Sequence, residues 1–163
     1  MTGEAILLSI RPKFAEQIFN GTKTVELRRV RPKKIGKGSL VFVYVSSPVQ
    51  ALMGGFRVKS VEEHPLSDIW ELVKNEAGIS KTEFDTYYHG NTTGVAIFID
   101  EKWSLQKPVG LHNLREQRPN FHPPQSFRYP ARNKDDVALI SEFMEDYSPF
   151  PKQLEFEFDQ TNS

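Results

Sequence analysis

SIRPKFAEQIFNGTKTVELRR, Ser9 to Arg29, is the stretch whose reading decides the fold. Pro12 stands near the first helical position, where its missing N–H costs nothing, and Asn20-Gly21 is a C-terminal stop. Between them Phe14, Ala15, Ile18 and Phe19 share one face, which predicts a helix of two to three turns. From Thr24 the pattern changes period. Val25 and Leu27 point one way and Glu26 and Arg28 the other, as in a strand with one apolar face. Lys23, Glu26 and Arg28 thus fall within six residues. They form either a solvated charge ladder or the polar wall of a cleft.

Working outward, AILLSI (Ala5 to Ile10) reads as a short buried strand before the helix. LVFVYVS (Leu40 to Ser46) is nearly continuous in apolar residues, which predicts burial on both faces. SSPVQAL reads as a turn, and GGFRVKSVEEH (Gly54 to His64) as a strand with a bulge near Ser60. PLSDIWELVKNEAG predicts a helix burying Ile69, Trp70, Leu72 and Val73. SKTEFDTYYHG opens with Ser80 and Glu83 in capping-box spacing and closes at Gly90. GVAIFIDEKW returns to strand. After Trp103 the pattern weakens into Pro-rich sequence, with a short strand expected over Gln125 to Tyr129 and a helix in NKDDVALISEFMEDY. Helices inserted into a mainly β chain predict an α+β fold: a small, partly closed barrel of five or six mixed strands with helices over its openings.

The chain has 163 residues, 21 basic and 21 acidic side chains, and no cysteine. That length suits one domain with an appended tail, expected as residues 1–130 and 131–163. Without cysteine there is no disulfide, thiolate metal site or Cys nucleophile. His64, His89, His112 and His122 are scattered, with no recognised metal spacing, and no cofactor motif appears. The six-residue run AILLSI resembles neither a signal peptide nor a membrane span, so a cytoplasmic protein with no membrane partner is expected. Charge is unevenly placed. Arg28, Arg29, Arg31, Lys33, Lys34 and Lys37 stand together without a carboxylate, while Glu142, Glu145, Asp146, Glu155, Glu157 and Asp159 mark the far end. Such asymmetry points to an anion site in the basic part and a possible protein partner for the acidic tail.

The residues from Ser9 to Arg29 resemble the opening signature of ASCH-domain proteins, members of the PUA-like superfamily. Gly21, Lys23, Glu26 and Arg28 stand at the fixed places of its G-x-K-x-x-E-x-R pattern. YVSSPVQALMGGFRV and PPQSFRY are similar to segments of one prokaryotic branch, so the resemblance runs over about residues 5 to 130. It implies a PUA-like pseudo-barrel with a cleft beside the first helix that accepts RNA or a nucleoside. One branch of the family looks like an N4-acetylcytidine amidohydrolase using a Lys, a Thr and a Glu. Lys23 matches the Lys, Glu26 stands where that branch has Thr, and Glu76 is set against its Glu.

In such a cleft Arg28 offers a planar fork of donors to a phosphate or base edge, and Glu26 an acceptor for an exocyclic amine. Arg29 and the basic loop after it could hold an RNA backbone. Ser46 and Ser47 leave the central strand where a hydroxyl could meet a ligand. Tyr87, Tyr88, His89 and Trp103 are the candidates for stacking on a base. Phe42, Tyr44, Phe56 and Phe98 are core candidates. Three functions follow: an RNA- or modified-nucleoside-binding module; a hydrolase of the same fold, amidohydrolase or ribonuclease, using Lys23 with Glu26 or Glu76; and an adaptor acting through the tail.

Overall fold

The computed structural model describes residues 5–143. The acidic residues beyond Glu142 and the QLEFEF segment lie outside them. β1 (Ile6–Ile10), α1 (Pro12–Phe19), β2 (Val25–Arg28), β3 (Leu40–Val45) and β4 (Ala51–Pro65) come first. α2 (Leu66–Val73), α3 (Lys81–Tyr87), β5 (Thr93–Gly110), α4 (Leu111–Gln117), β6 (Phe127–Arg128) and α5 (Lys134–Phe143) follow, with a 3-10 turn over Pro130–Arg132. The strands make one mixed, curled sheet in the order β2-β5-β4-β3-β1-β6. Only the β1–β3 pairing is parallel, because α1 and β2 intervene before the chain re-enters beside β1. The result is the α+β half-barrel that the sequence predicts.

Burial on both faces of β3 has a direct cause. Val41, Val43 and Val45 meet α1 through Ala15 and Ile18 in one core. Leu40, Phe42 and Tyr44 join Trp103, Leu114, Leu139 and Ile140 in another, on the opposite face. A third cluster packs Val25, Leu27 and Ala96 against Ile69 and Val73 of α2, Phe84 of α3 and Tyr88 just past it. The first two clusters lie back to back through β3, so its period-2 alternation is hidden from a hydropathy profile.

From Ala51 onward the chain departs from expectation in four places. β4 begins at Ala51, within the segment expected to turn, because Ala51 and Leu52 pair with Gly110 and Val109. β5 continues seven residues past Trp103, through the stretch where the pattern weakens. Its register slips against β4 between Leu52 and Gly54, Phe56 and Val58, and Val58 and Ser60. Each slip resets which side chains face inward, so no single alternation survives in the sequence. α4 was not anticipated; Gly110 precedes it with no side-chain cap. Leu72 is exposed, since Ile69 and Val73, one turn apart, take the inward face of a helix only eight residues long. The Ser80 capping box is present in both directions, Ser80 accepting from the Glu83 N–H and Glu83 from the Ser80 N–H.

Candidate functional site

The site is built by the turn that joins α1 to β2. Gly21 adopts φ +87°, which lets the chain leave the helix at once. The Lys23 N–H then donates to Gln17 O, and the Thr24 N–H to Glu76 O. These two bonds fix where the side chain of Lys23 starts. It turns inward and is buried to 3% exposure. Its ammonium donates to the carbonyl of Ala77 at 2.6 Å, lies 5.1 Å from the centre of the Phe14 ring, and is 3.9 Å from Glu26 Oε1. Three residues on, Glu26 is buried as well. Its other oxygen accepts from Arg28 Nη1 at 3.1 Å. Arg28 also donates to Ser9 O at 3.4 Å and to Ser126 Oγ at 2.7 Å. A solvated charge ladder is therefore the wrong description. Three charged side chains form one buried row, Lys23 and Arg28 on either side of the Glu26 carboxylate.

The row faces a cavity of about 680 Å³. Arg11, just before α1, and Phe14 of α1 form one side of it, and Thr82, Thr86 and Tyr87 of α3 another. Ser9, Ser46 and Ser126 line it with hydroxyls where β1, β3 and the segment before β6 come together. At its mouth Arg29 stacks on Tyr87, its guanidinium carbon 4.3 Å from the ring centre, and donates to Tyr87 O at 2.9 Å. A concave polar pocket with aromatic side chains on its walls and cations in its floor and rim is suited to an anionic, partly planar ligand.

Burial governs the ionisation of these groups. Desolvation holds the Lys23 amine below its ordinary value of 10.5, and the nearby Glu26 carboxylate opposes that without cancelling it. Burial likewise pushes the Tyr87 and Tyr88 phenols up, so both stay neutral donors. The Lys23 shift has a consequence for stability. In the folded state the amine binds its proton less tightly than in the unfolded chain, so stability rises with pH between the folded pKa and 10.5. Below the folded pKa the penalty is present in full. Lys23→Met should therefore gain most over wild type below that folded pKa and lose the advantage as pH approaches 10.5, which urea midpoints across a pH series will measure.

The structure brings together Lys23, Glu26, Arg28, Arg29 and Ser46 from the residues singled out in the sequence, with Tyr87. Others fall elsewhere. Tyr88 is 1% exposed and belongs to the core behind β2. It packs 4.8 Å from Phe84 and donates to Arg28 O at 3.0 Å, so it holds the strand and cannot stack on a ligand. A Cβ on Gly94 would lie 2.9 Å from the Tyr88 ring, which is why that ring fits. Trp103 is core too, edge-on to Phe42 at 6.1 Å. Glu76 is exposed and accepts from Thr24 Oγ1 at 3.0 Å, outside the cavity lining. Ser47 is exposed beyond the rim, one residue past Ser46. Ser126 was missed as a site residue. Its signal was the PPQSFRY segment, yet nothing local shows that this segment meets β1 and Arg28, 98 residues away in sequence. Among the described residues no three His, Cys, Asp or Glu side chains gather as a metal site, and no helix is long and apolar enough to cross a membrane.

A mixed, curled sheet with a polar cleft beside its first helix defines a PUA-like domain. The ASCH domain family model matches residues 8–112, and the chain belongs to that family. It is 28% identical over 135 residues to an ASCH domain-containing ribonuclease of Zymomonas mobilis, a match covering 83% of this chain and 89% of that protein. The crystal structure of ASCH from Zymomonas mobilis superimposes with a TM-score of 0.74 at 25% identity, over 89% of this chain and 96% of that one. A large ribosomal subunit protein uL22 of Ureaplasma parvum is 34% identical over 111 residues, which span 68% of this chain and 35% of that protein.

Proposed function

We propose that this ASCH domain binds RNA, takes one of its nucleotides into the cleft, and cleaves the chain there. The observation that carries the proposal is the buried Lys23 amine, held below its ordinary pKa in the lining of a cavity it shares with Arg11, Arg28 and Arg29. The ribonuclease of Zymomonas mobilis, similar over most of both chains, supports the same reaction class.

The chemistry is a phosphoryl transfer within the strand. A ribose 2′-oxygen attacks the adjacent phosphorus and forms a bond to it while the bond to the 5′-oxygen breaks. A 2′,3′-cyclic phosphate and a free 5′-hydroxyl result. Neutral Lys23 takes the 2′-hydroxyl proton, and the leaving 5′-oxygen takes one from solvent at the open mouth. Arg28, whose fork already engages Glu26 and Ser126, and Arg29 at the rim offset the charge that builds on the phosphate. Glu26 keeps Arg28 in place and presents carboxylate oxygens to a base amine.

The test is incubation of the purified protein with a mixed RNA pool, and separately with N4-acetylcytidine, with chromatography of the products. New RNA ends bearing 2′,3′-cyclic phosphate are the expected result. Arg28→Ala should reduce RNA retention by about 10-fold, the scale of one lost charge-assisted bond, without removing the thermal transition. RNA held but never cut would make the protein a reader. Release of cytidine from N4-acetylcytidine with RNA left whole would make it an amidohydrolase.

A further inference from the structure

Beyond the cleft, the structure carries a second cationic surface, and it begins where the cleft ends. Arg29 stacks on Tyr87 in the cavity lining, and the chain then runs through Arg31, Lys33, Lys34 and Lys37 before β3, with no carboxylate on the way. A run of this composition would ordinarily be a loose loop. Here it is tied down. Pro32 and Ile35 are buried, Ile35 in the core beside α1. The Lys34 N–H donates to the Tyr129 phenol at 2.9 Å, the Gly38 N–H to Val58 O at 2.8 Å, and the Gly36 N–H to Ser39 Oγ at 3.0 Å. Anchoring at Pro32 and Ile35 leaves Arg31, Lys33 and Lys37 exposed on a fixed backbone, with no ion-pair partner among the described residues. Where the loop meets Tyr129, Arg132 lies over that ring at 4.8 Å and adds another cation.

We infer that this pinned loop is a rail for the backbone of a single-stranded RNA whose next nucleotide sits in the cleft. The inference rests on the RNA reading of the cleft and narrows its substrate class to a strand of several nucleotides. Three features favour that ligand. The cations are spaced along an ordered segment, as a repeating phosphate chain requires. They adjoin the cavity of about 680 Å³, of a size to hold a nucleotide but not a strand. Entry to that cavity demands an unstacked base, which a single strand provides and a duplex does not.

The experiment uses the full chain and the triple variant Arg31→Ser/Lys33→Ser/Lys37→Ser, compared by fluorescence anisotropy across a salt series. The probes are a 2′-O-methyl single strand of roughly twelve nucleotides, which resists cleavage, and a 2′-O-methyl dinucleotide. Wild type should bind the strand far more tightly than the dinucleotide. The variant should lose roughly 10- to 100-fold for the strand at low salt, and its log–log salt slope should fall by about 2, at about 0.7 per phosphate contact. Dinucleotide binding should not change. All three changes are on exposed residues, and a thermal melt will confirm that the fold is kept. Unchanged strand affinity, or equal losses for both probes, would overturn the rail while leaving the cleft as an RNA site. Wild type that binds neither probe would overturn the RNA reading and the rail with it.

Discussion

Asp136→Ala is expected to destabilise the domain by about 3 kcal/mol and to lower its melting temperature by roughly 6–12 °C. Asp136 is 1% exposed near the start of α5, and both its oxygens accept from Arg128, at 2.5 Å from Nε and 2.7 Å from Nη2. Asn133 fixes the carboxylate's position by accepting from the Asp135 and Asp136 N–H groups at the start of the helix. Arg128 in turn reaches the His122 carbonyl and lies 5.4 Å from the Phe121 ring. One ion pair thus joins β6, α5 and the Pro-rich connection after α4. Removing one partner strands a guanidinium that is only about a quarter exposed, so it recovers part of its hydration and the loss sits at the lower end for a broken buried pair. Desolvation makes a further demand on the outcome. Arg128→Met/Asp136→Leu removes both charges together and should recover most of the stability. If the double variant is as unstable as Asp136→Ala, then packing, not charge, governs this corner.

The first third of the chain was legible because its elements are short and each declares its own ends. Pro12 and Gly21 bracket α1, and Val25 and Leu27 give β2 its inner face. The grouping of Lys23, Glu26 and Arg28 was legible for the same reason: they come from one turn and one strand, and the structure brings the three side chains together. The two longest strands were not. β4 and β5 are long strands whose bulges reset parity, and β5 passes through Lys107 and Pro108 without a clear alternation. Long-range closure was invisible as well. Ser126 reaches the cleft only because Phe127 and Arg128 pair with Leu8 and Leu7 at the sheet edge. Tyr87 and Tyr88 show the limit of composition. Adjacent in sequence at the end of α3, one lines the cleft and the other fills the core, and only the direction of the helix relative to β2 separates them.

Lys23→Ala should lower RNA cleavage by about 10²- to 10⁴-fold, the range for loss of a positioned base, with the fold retained. A drop alone would not separate a base from a fixed charge, so Lys23→Arg is the sharper variant. Guanidinium keeps the positive charge but does not give up its proton, so it should be as inactive as alanine. The pH profile supplies the remaining leverage. In the proposed mechanism the neutral amine is the base, so the rate should rise with pH through the folded pKa of Lys23, which lies below 10.5. Glu26 raises that pKa from 3.9 Å away, against the larger effect of burial. Taking the carboxylate's charge away in Glu26→Gln must then lower it further, and the ascending limb should move to lower pH while Lys23→Ala shows no limb at all. A merely structural Glu26 would cost activity at every pH without moving the midpoint. Cleavage that persists in Lys23→Arg would assign the proton transfer to another group and leave Lys23 as part of the phosphate cradle.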